Sequence, residues 1–355
     1  MGEKVTIPKI AEVCGTSIGT VDRALNNRSG ISPATRDRIL KTAEEMGYRT
    51  NKFAGALSRK KSKSIAVVYP AAPRDFYVCM EKGIEKAARD FSAYGMEFHS
   101  YRYGVDGAQD EERVLSELDA EKYDGIAIDP LNENSAKFVD RFTQMGKPVA
   151  LFNNDLPKSS RLFFVGESAV QSGRIGGDIL GLLLRGRGSA AVLGNFVKSM
   201  PFLGRYEGFA SAVREYYPDI DIRPCADCCH SDSITEDNIR AFLDGSTAPR
   251  GIFCTSYSST LSTIQALEKL KRKDVLLVGY DVSRLTAEAV RSGICKALIY
   301  QNPFRQAYLV LELLQKHILE GWQSKKEKIL IPTRIAFRQN IDDYADGIIR
   351  EDIDI

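Results

Sequence analysis

Asp129, Asn153, Asn154, Ser256, Asp281 and Gln301 sit at or near the ends of short apolar runs, Phe76 and Tyr77 follow another such run, and Arg205 opens the helical stretch Gly204-Arg205-Tyr206-Glu207-Gly208-Phe209. Carboxylates, a guanidinium, amides and flanking aromatic rings are what a small polyhydroxylated ligand needs. Ring faces pack against its C–H surfaces, and each hydroxyl meets a donor and an acceptor. Singly, each residue is ordinary strand-end polarity; the reading rests on the set. A second set lies near the start of the chain, where Ser17, Ile18, Gly19, Thr20, Asp22 and Arg23 share the exposed side of a short amphipathic stretch. Small residues there let a backbone approach the major groove of DNA. Arg23 reaches a guanine edge, and Ser17, Thr20 and Asn26 can donate to phosphates.

A third cluster, Cys225-Ala226-Asp227-Cys228-Cys229-His230, holds three thiols and an imidazole. It has C-x-x-C spacing but no second paired knuckle, and it follows a predicted strand, where thiols pack as small hydrophobes. No metal site and no cofactor is read from it. Gly186-Arg187-Gly188 precedes a strand rather than a helix, so it is not a dinucleotide loop. No Ser/His/Asp triad or paired-carboxylate motif is visible, which argues against an enzyme.

The elements that must position these groups follow from periodicity. Thr6 can cap a first helix, with Pro8 in its opening turn and Ile7, Ile10 and Ala11 on one face. Gly15 ends it. Ser17 caps a second helix that buries Val21, Ala24 and Leu25. Ser32-Pro33 starts a third, lined by Ile39, Ala43 and Met46 and stopped at Gly47. Two short helices joined by a Gly-bearing turn, closed by a third, make a helix-turn-helix unit. Beyond it, Asn51 can cap about two helical turns, too short to be stable alone in water. From residue 64 the pattern alternates strand and helix. Strands are predicted at 64–69, 96–101, 124–129 and 148–152, then again from Val165 onward in a second unit. Continuous apolar strands separated by amphipathic helices argue parallel sheets covered on both faces. Ligands of such sheets bind at the carboxyl ends of strands. Helix 303–320 carries an apolar stripe that faces either a core or a second copy.

Charge supports this division. The chain has 355 residues, and residues 1–63 hold 13 Lys/Arg against 6 Asp/Glu while the remaining 292 hold 36 against 41. A basic terminal module points to a polyanion. The absence of an apolar signal core or membrane-length run predicts a cytoplasmic protein with no membrane partner, and its seven Cys are expected as thiols.

Residues 6–63 resemble the DNA-binding headpiece of LacI-type bacterial repressors through Thr6-Ile7, Gly15-Thr16-Ser17-Ile18-Gly19-Thr20-Val21-Asp22-Arg23-Ala24-Leu25-Asn26, Ser32-Pro33-Ala34-Thr35-Arg36 and Asn51-(x)2-Ala54-(x)2-Leu57. The resemblance implies base reading by Ile18, Gly19 and Arg23, and phosphate contacts from Thr6, Ser17, Thr20, Asn26 and Thr35. It also implies a hinge helix of Asn51, Ala54 and Leu57 in the minor groove, where Leu57 wedges between base pairs. Asp22 stands where Ser is usual, and Thr50 where Pro is. Residues 64–340 resemble the same family's sensor domain and the periplasmic sugar-binding proteins, through Arg205-(x)2-Gly208-Phe209, Val278-Gly279-Tyr280-Asp281 and Gln301-Asn302-Pro303. That resemblance places Asn153, Asn154, Arg205, Ser256, Asp281 and Gln301 against a sugar. Asn153-Asn154 departs from the Asp-Arg common in pentose and hexose binders, which leaves the sugar class open.

The expected organisation is a headpiece at 1–49, a hinge at 50–63, a two-lobed sensor at 64–340 and a tail at 341–355. Lobe 1 is expected at 64–163 and 296–322, and lobe 2 at 164–293 and 325–340. The expected function is a homodimeric regulator that binds pseudo-palindromic double-stranded DNA under control of a small effector. A solute-binding module without a DNA role and a sugar-metabolising enzyme are the rival readings. The basic headpiece opposes the first and the missing catalytic constellation the second.

Overall fold

A computed structural model describes residues 6–25, 29–46, 62–104, 108–194, 200–223, 236–244, 248–345 and 348–349. Asn26, the Gly47 stop, the hinge residues Asn51, Ala54 and Leu57, and the Cys225–His230 cluster lie outside these residues. The headpiece and the body form separate compact units.

The headpiece has the predicted three helices, α1 (Ile7–Val13), α2 (Ile18–Leu25) and α3 (Pro33–Glu45). Ser17 Oγ accepts from the Thr20 amide at 3.1 Å, and Ser32 Oγ accepts from the Thr35 amide at 3.2 Å, so both predicted caps form. Thr6 occupies the N-cap position of α1 in extended backbone, but its side chain makes no cap bond. Gly15 turns the chain at φ +58, a conformation that costs a residue with a Cβ. Ile10, Val21, Ala24, Ile39 and Ala43 close the core. The face left outside carries Ile18, which is 56% exposed.

In the body, the first sheet contains β1 (Lys63–Pro70), β2 (Met96–Tyr103), β3 (Gly125–Ile128), β4 (Val149–Phe152), β5 (Phe163–Gly166) and β11 (Lys328–Leu330). Their order is β11-β5-β4-β3-β1-β2, and every pairing is parallel. The second sheet contains β6 (Arg187–Leu193), β7 (Asp219–Arg223), β8 (Gly251–Cys254), β9 (Leu276–Tyr280), β10 (Cys295–Tyr300) and β12 (Arg334–Ala336), in the order β12-β10-β9-β8-β6-β7. It is parallel except where β12 runs against β10. The two sheets therefore share one strand order, position for position, and differ in the direction of the edge strand. Their central strands are buried throughout, as the continuous apolar runs predicted.

Helices α4 (Arg74–Ser92), α5 (Ala108–Glu117), α6 (Ala136–Gln144) and α12 (Pro303–Glu320) belong to the first lobe. Helices α7 (Ala169–Leu183), α8 (Met200–Tyr216), α9 (Glu236–Asp244), α10 (Tyr257–Lys269) and α11 (Arg284–Ser292) belong to the second. The stripe of α12 is largely core: Phe304, Ala307, Leu311 and Leu314 are buried, and the helix packs on α4, β3, β4 and β5.

The lobe boundaries differ from the expectation in two places. Residues 295–300 pair with β9 and β12, so they belong to lobe 2, and the return to lobe 1 begins only with α12. Residues 328–330 pair with β5 and so belong to lobe 1. The second follows from edge pairing with a strand far back in the sequence, which periodicity does not carry, whereas β10 simply continues the strand-helix-strand alternation of lobe 2 beside β9. Residues 341–345 and 348–349 are no loose tail. Ile341, Tyr344 and Ile349 pack into the lobe 2 core, and Ile348 packs on Cys79 and Phe304 of lobe 1. A two-stranded ribbon, β13 (Tyr344–Ala345) and β14 (Ile348–Ile349), holds them in register.

Glycines bring α7 and α8 together. A Cβ on Gly173 would lie 2.0 Å from the Arg205 carbonyl oxygen, and one on Gly208 would lie 2.1 Å from that of Val170. Backbone contact this close fixes where Arg205 stands relative to the strand ends.

Candidate functional site

The carboxyl ends of the two sheets face each other within the body. Tyr257, at the start of α10 in lobe 2, donates its hydroxyl to Asp75 Oδ2 of lobe 1 at 2.6 Å. Around this bridge lie two half-sites.

The lobe 1 half is built on Asp129, which follows β3 and is fully buried. Tyr77 Oη donates to it at 3.0 Å, Asn153 Nδ2 at 2.9 Å and Asn154 Nδ2 at 2.8 Å. All three donors are neutral. Burial pushes the Asp129 carboxyl up to about 7, against the pull of the Asn153, Tyr77 and Asn154 hydrogen bonds. Phe76 packs edge-on against Tyr77, with centroids 5.0 Å apart. Behind Asp129 lies Glu111, also fully buried, which accepts from the Leu131 amide at 3.1 Å and from Asn132 Nδ2 at 2.8 Å. It too is pushed by burial to about 7.

The lobe 2 half is built on Arg205. Its Nε donates to Glu167 Oε1 at 2.8 Å, its Nη1 to the Thr255 carbonyl at 2.7 Å and its Nη2 to Gln301 Oε1 at 3.1 Å; Nη2 also donates to Glu167 Oε1. The guanidinium lies over the Tyr280 ring, 4.0 Å from its centroid. Burial works against its charge, but the attraction of Glu167 leads the terms that more than offset this, and the pKa is raised. Gln301 Nε2 donates to Asp281 Oδ2 at 3.0 Å. Burial pushes the Asp281 carboxyl up to about 7, although Arg205 pulls it down.

Two strand ends share an unusual backbone. Asn153 follows β4 and Asp281 follows β9, the corresponding strand of the other sheet, with φ +60 and +59. Left-handed backbone at non-glycine residues is strained and concentrates at functional sites.

Phe76, Tyr77, Asp129, Asn153 and Asn154 thus fall into one half-site and Arg205, Asp281 and Gln301 into the other. Ser256 adjoins them, but its hydroxyl accepts from the Ser259 amide at 3.2 Å in the capping box of α10. Asp155 turns away to Arg161 Nε at 2.5 Å and to Lys328. Three members were not picked out from the sequence: Glu167, Glu111 and Tyr103, the last donating its hydroxyl to the Asp129 carbonyl at 2.6 Å. Glu167 comes directly after β5, a strand not predicted, so the rule of looking just past each strand never reached it.

In the headpiece, Ile18, Gly19 and Arg23 are exposed on α2 and Thr20 is half-buried beside them. Thr6 and Ser17 are also exposed, and the Thr35 hydroxyl lies 2.8 Å from that of Ser32. Among the described residues no cluster of metal-ligating side chains occurs, and no helix is long and apolar enough to cross a membrane.

A helix-turn-helix unit followed by two parallel sheets of one topology, their strand ends apposed, defines a class. The comparisons agree with it. Residues 6–51 match the model of bacterial regulatory proteins of the lacI family, and residues 65–321 match the periplasmic binding protein domain. The chain belongs to the LacI family of DNA-binding transcriptional regulators, with a periplasmic-binding-protein-like sensor. It is 26% identical over 342 residues to the HTH-type transcriptional regulator DegA of Bacillus subtilis, covering 95% of this chain and 98% of that one. It is 24% identical over 359 residues to catabolite control protein A of Priestia megaterium, covering 95% and 99%. Its fold matches GanP, a glucose-galactose binding protein from Geobacillus stearothermophilus, with TM-score 0.70 and 20% identity over 79% of this chain and 99% of that one.

Proposed function

We propose that the chain is a homodimeric regulator, not an enzyme, whose grip on a pseudo-palindromic DNA site is set by a polyol held between Asp129 and Asp281. Two buried carboxylate half-sites at the strand ends, in a chain that also carries a helix-turn-helix unit, carry this reading. Ile18, Gly19 and Arg23 read bases in the major groove, while Thr6, Ser17, Thr20, Asn26 and Thr35 hold phosphates. Asn51, Ala54 and Leu57 of two protomers meet in the minor groove at the centre of the site. In the cleft, Phe76, Tyr77, Asn153, Asn154, Arg205, Ser256 and Gln301 line the ligand. The protein works in the cytoplasm, where DNA and ligand are both present. A sugar suits the cleft, and GanP, which shares its fold, is named for binding glucose and galactose. A ligand can change DNA affinity only by binding the two lobe arrangements unequally.

The test is fluorescence anisotropy of the full chain against duplexes selected from random sequence. Affinity is expected to fall steeply with salt, and Arg23→Ala is expected to cost about tenfold or more at one base pair in each half-site. A saturating polyol is expected to change the affinity by about fivefold or more. Binding that ignores both salt and polyol would refute the reading.

A further inference from the structure

Among the described residues Arg205 is the one cation in the buried groups of the cleft, and it is already spent. Glu167, Thr255 and Gln301 take four of its five N–H groups. Arg161, likewise buried, is paired with Asp155. Facing this cation are three buried carboxylates, Asp129, Glu167 and Asp281, with a fourth, Glu111, behind Asp129. Two of them are also short of donors: Glu167 Oε2 and Asp281 Oδ1 are buried without a hydrogen-bond partner among the described residues. Unmet acceptors of this kind are costly and ask for a donor from outside the chain.

The geometry points to Glu167 as the residue that sets the class of ligand: by consuming the guanidinium it makes the cleft a site for polyols without an acid group, a protonated amine being accepted, and it shuts out sugar acids and sugar phosphates. An incoming carboxylate or phosphate would meet three carboxylates and a single remaining N–H of Arg205. Hydroxyl or ammonium donors would instead satisfy Asp281 Oδ1 and Glu167 Oε2. Among the described residues the side chains that donate to Asp129 are all neutral, so no cation bonded to it offsets an anion from the lobe 1 side. The assignment rests on the cleft being the sensor site proposed above.

The experiment uses the full chain and its Glu167→Gln variant, which keeps volume and hydrogen bonding but releases the charge of Arg205. Thermal shift followed by calorimetric titration is run with four probe sets: neutral hexoses, pentoses and inositols; hexosamines; hexuronates; and hexose phosphates. Neutral or amine-bearing probes are expected to raise the melting temperature of the native chain, and acids and phosphates to leave it in place. E167Q is expected to bind at least one acid or phosphate about tenfold tighter than the native chain does, or more. An acid or phosphate that binds the native chain and loses its binding in Asp281→Asn overturns the assignment, as does an E167Q that gains no anion. Should E167Q not fold, the native chain decides alone by its response to the acid and phosphate sets. If no probe moves either protein, the sensor reading itself fails and the assignment falls with it. A native response confined to anions fells the assignment and leaves the sensor standing.

Discussion

The two halves of the cleft use one backbone plan and opposite electrostatics. Asn153 and Asp281 stand at corresponding strand ends in the same left-handed backbone, yet one is an amide serving a neighbouring carboxylate and the other is itself the carboxylate. Lobe 1 surrounds its charge with neutral donors. Lobe 2 ties its charges into a chain from Glu167 through Arg205 and Gln301 to Asp281. A repeated topology thus supplies positions, while the side chains at them decide whether a half-site is held by hydrogen bonds or by ion pairing.

The comparison breaks most sharply at Arg205. Arg205→Ala leaves Glu167 buried and unpaired, and is expected to cost about 3–5 kcal/mol in denaturant unfolding. Tyr77→Phe, which removes one of three neutral bonds to Asp129, is expected to cost only about 1–2 kcal/mol. Equal costs would show that the two half-sites are held alike. Next comes Gly173→Val, whose side chain would meet the Arg205 backbone. About 1–3 kcal/mol of overpacking strain is expected, with altered ligand binding, because the helix that carries Arg205 must shift. Tyr257→Phe severs the bridge to Asp75. About 1 kcal/mol is expected, with a larger radius of gyration of the unliganded body by small-angle scattering.

The smallest effect is one of pH. Asp281 has its carboxyl raised from 3.8 to about 7 in the folded chain. Stability from that proton is full below the unfolded value and is lost as pH rises toward the folded one. Asp281→Asn removes this loss. The variant is therefore expected to melt a few degrees above the native chain at pH ~8, with the gap narrowing below pH ~7 and closing only near pH ~4. Thermal melts across that range decide it; a gap that widened toward acid would contradict the burial of Asp281.

Much of this cleft was legible in the sequence because parallel strands announce themselves as unbroken apolar runs and ligand groups follow their ends. Asp129, Asn153, Asp281 and Gln301 were all found by that rule. It failed where strands are short or their pairing is remote. β11 and β12 have three residues each, too few for a pattern, so part of the lobe edges was misplaced, and β5, though as long as β3 and β4, follows β4 with no helix between them to set it apart, so Glu167 was missed. Nor could spacing reveal that Asn153 and Asn154 turn inward to Asp129, since that depends on how their strand pairs with its neighbour in the sheet. The headpiece was the easier case, because its caps and core are local to some forty residues.

Ile348 and Ile349 are neighbours in β14, yet one is seated in the first lobe and the other in the second. Successive side chains of an extended segment point to opposite sides. A single peptide unit is thereby pinned to both halves of the jaw. Any opening or twisting must either strip one isoleucine from its socket or drag the ribbon along, so the stiffness of the joint depends on two adjacent methyl-rich side chains as well as on the chain crossings beneath them.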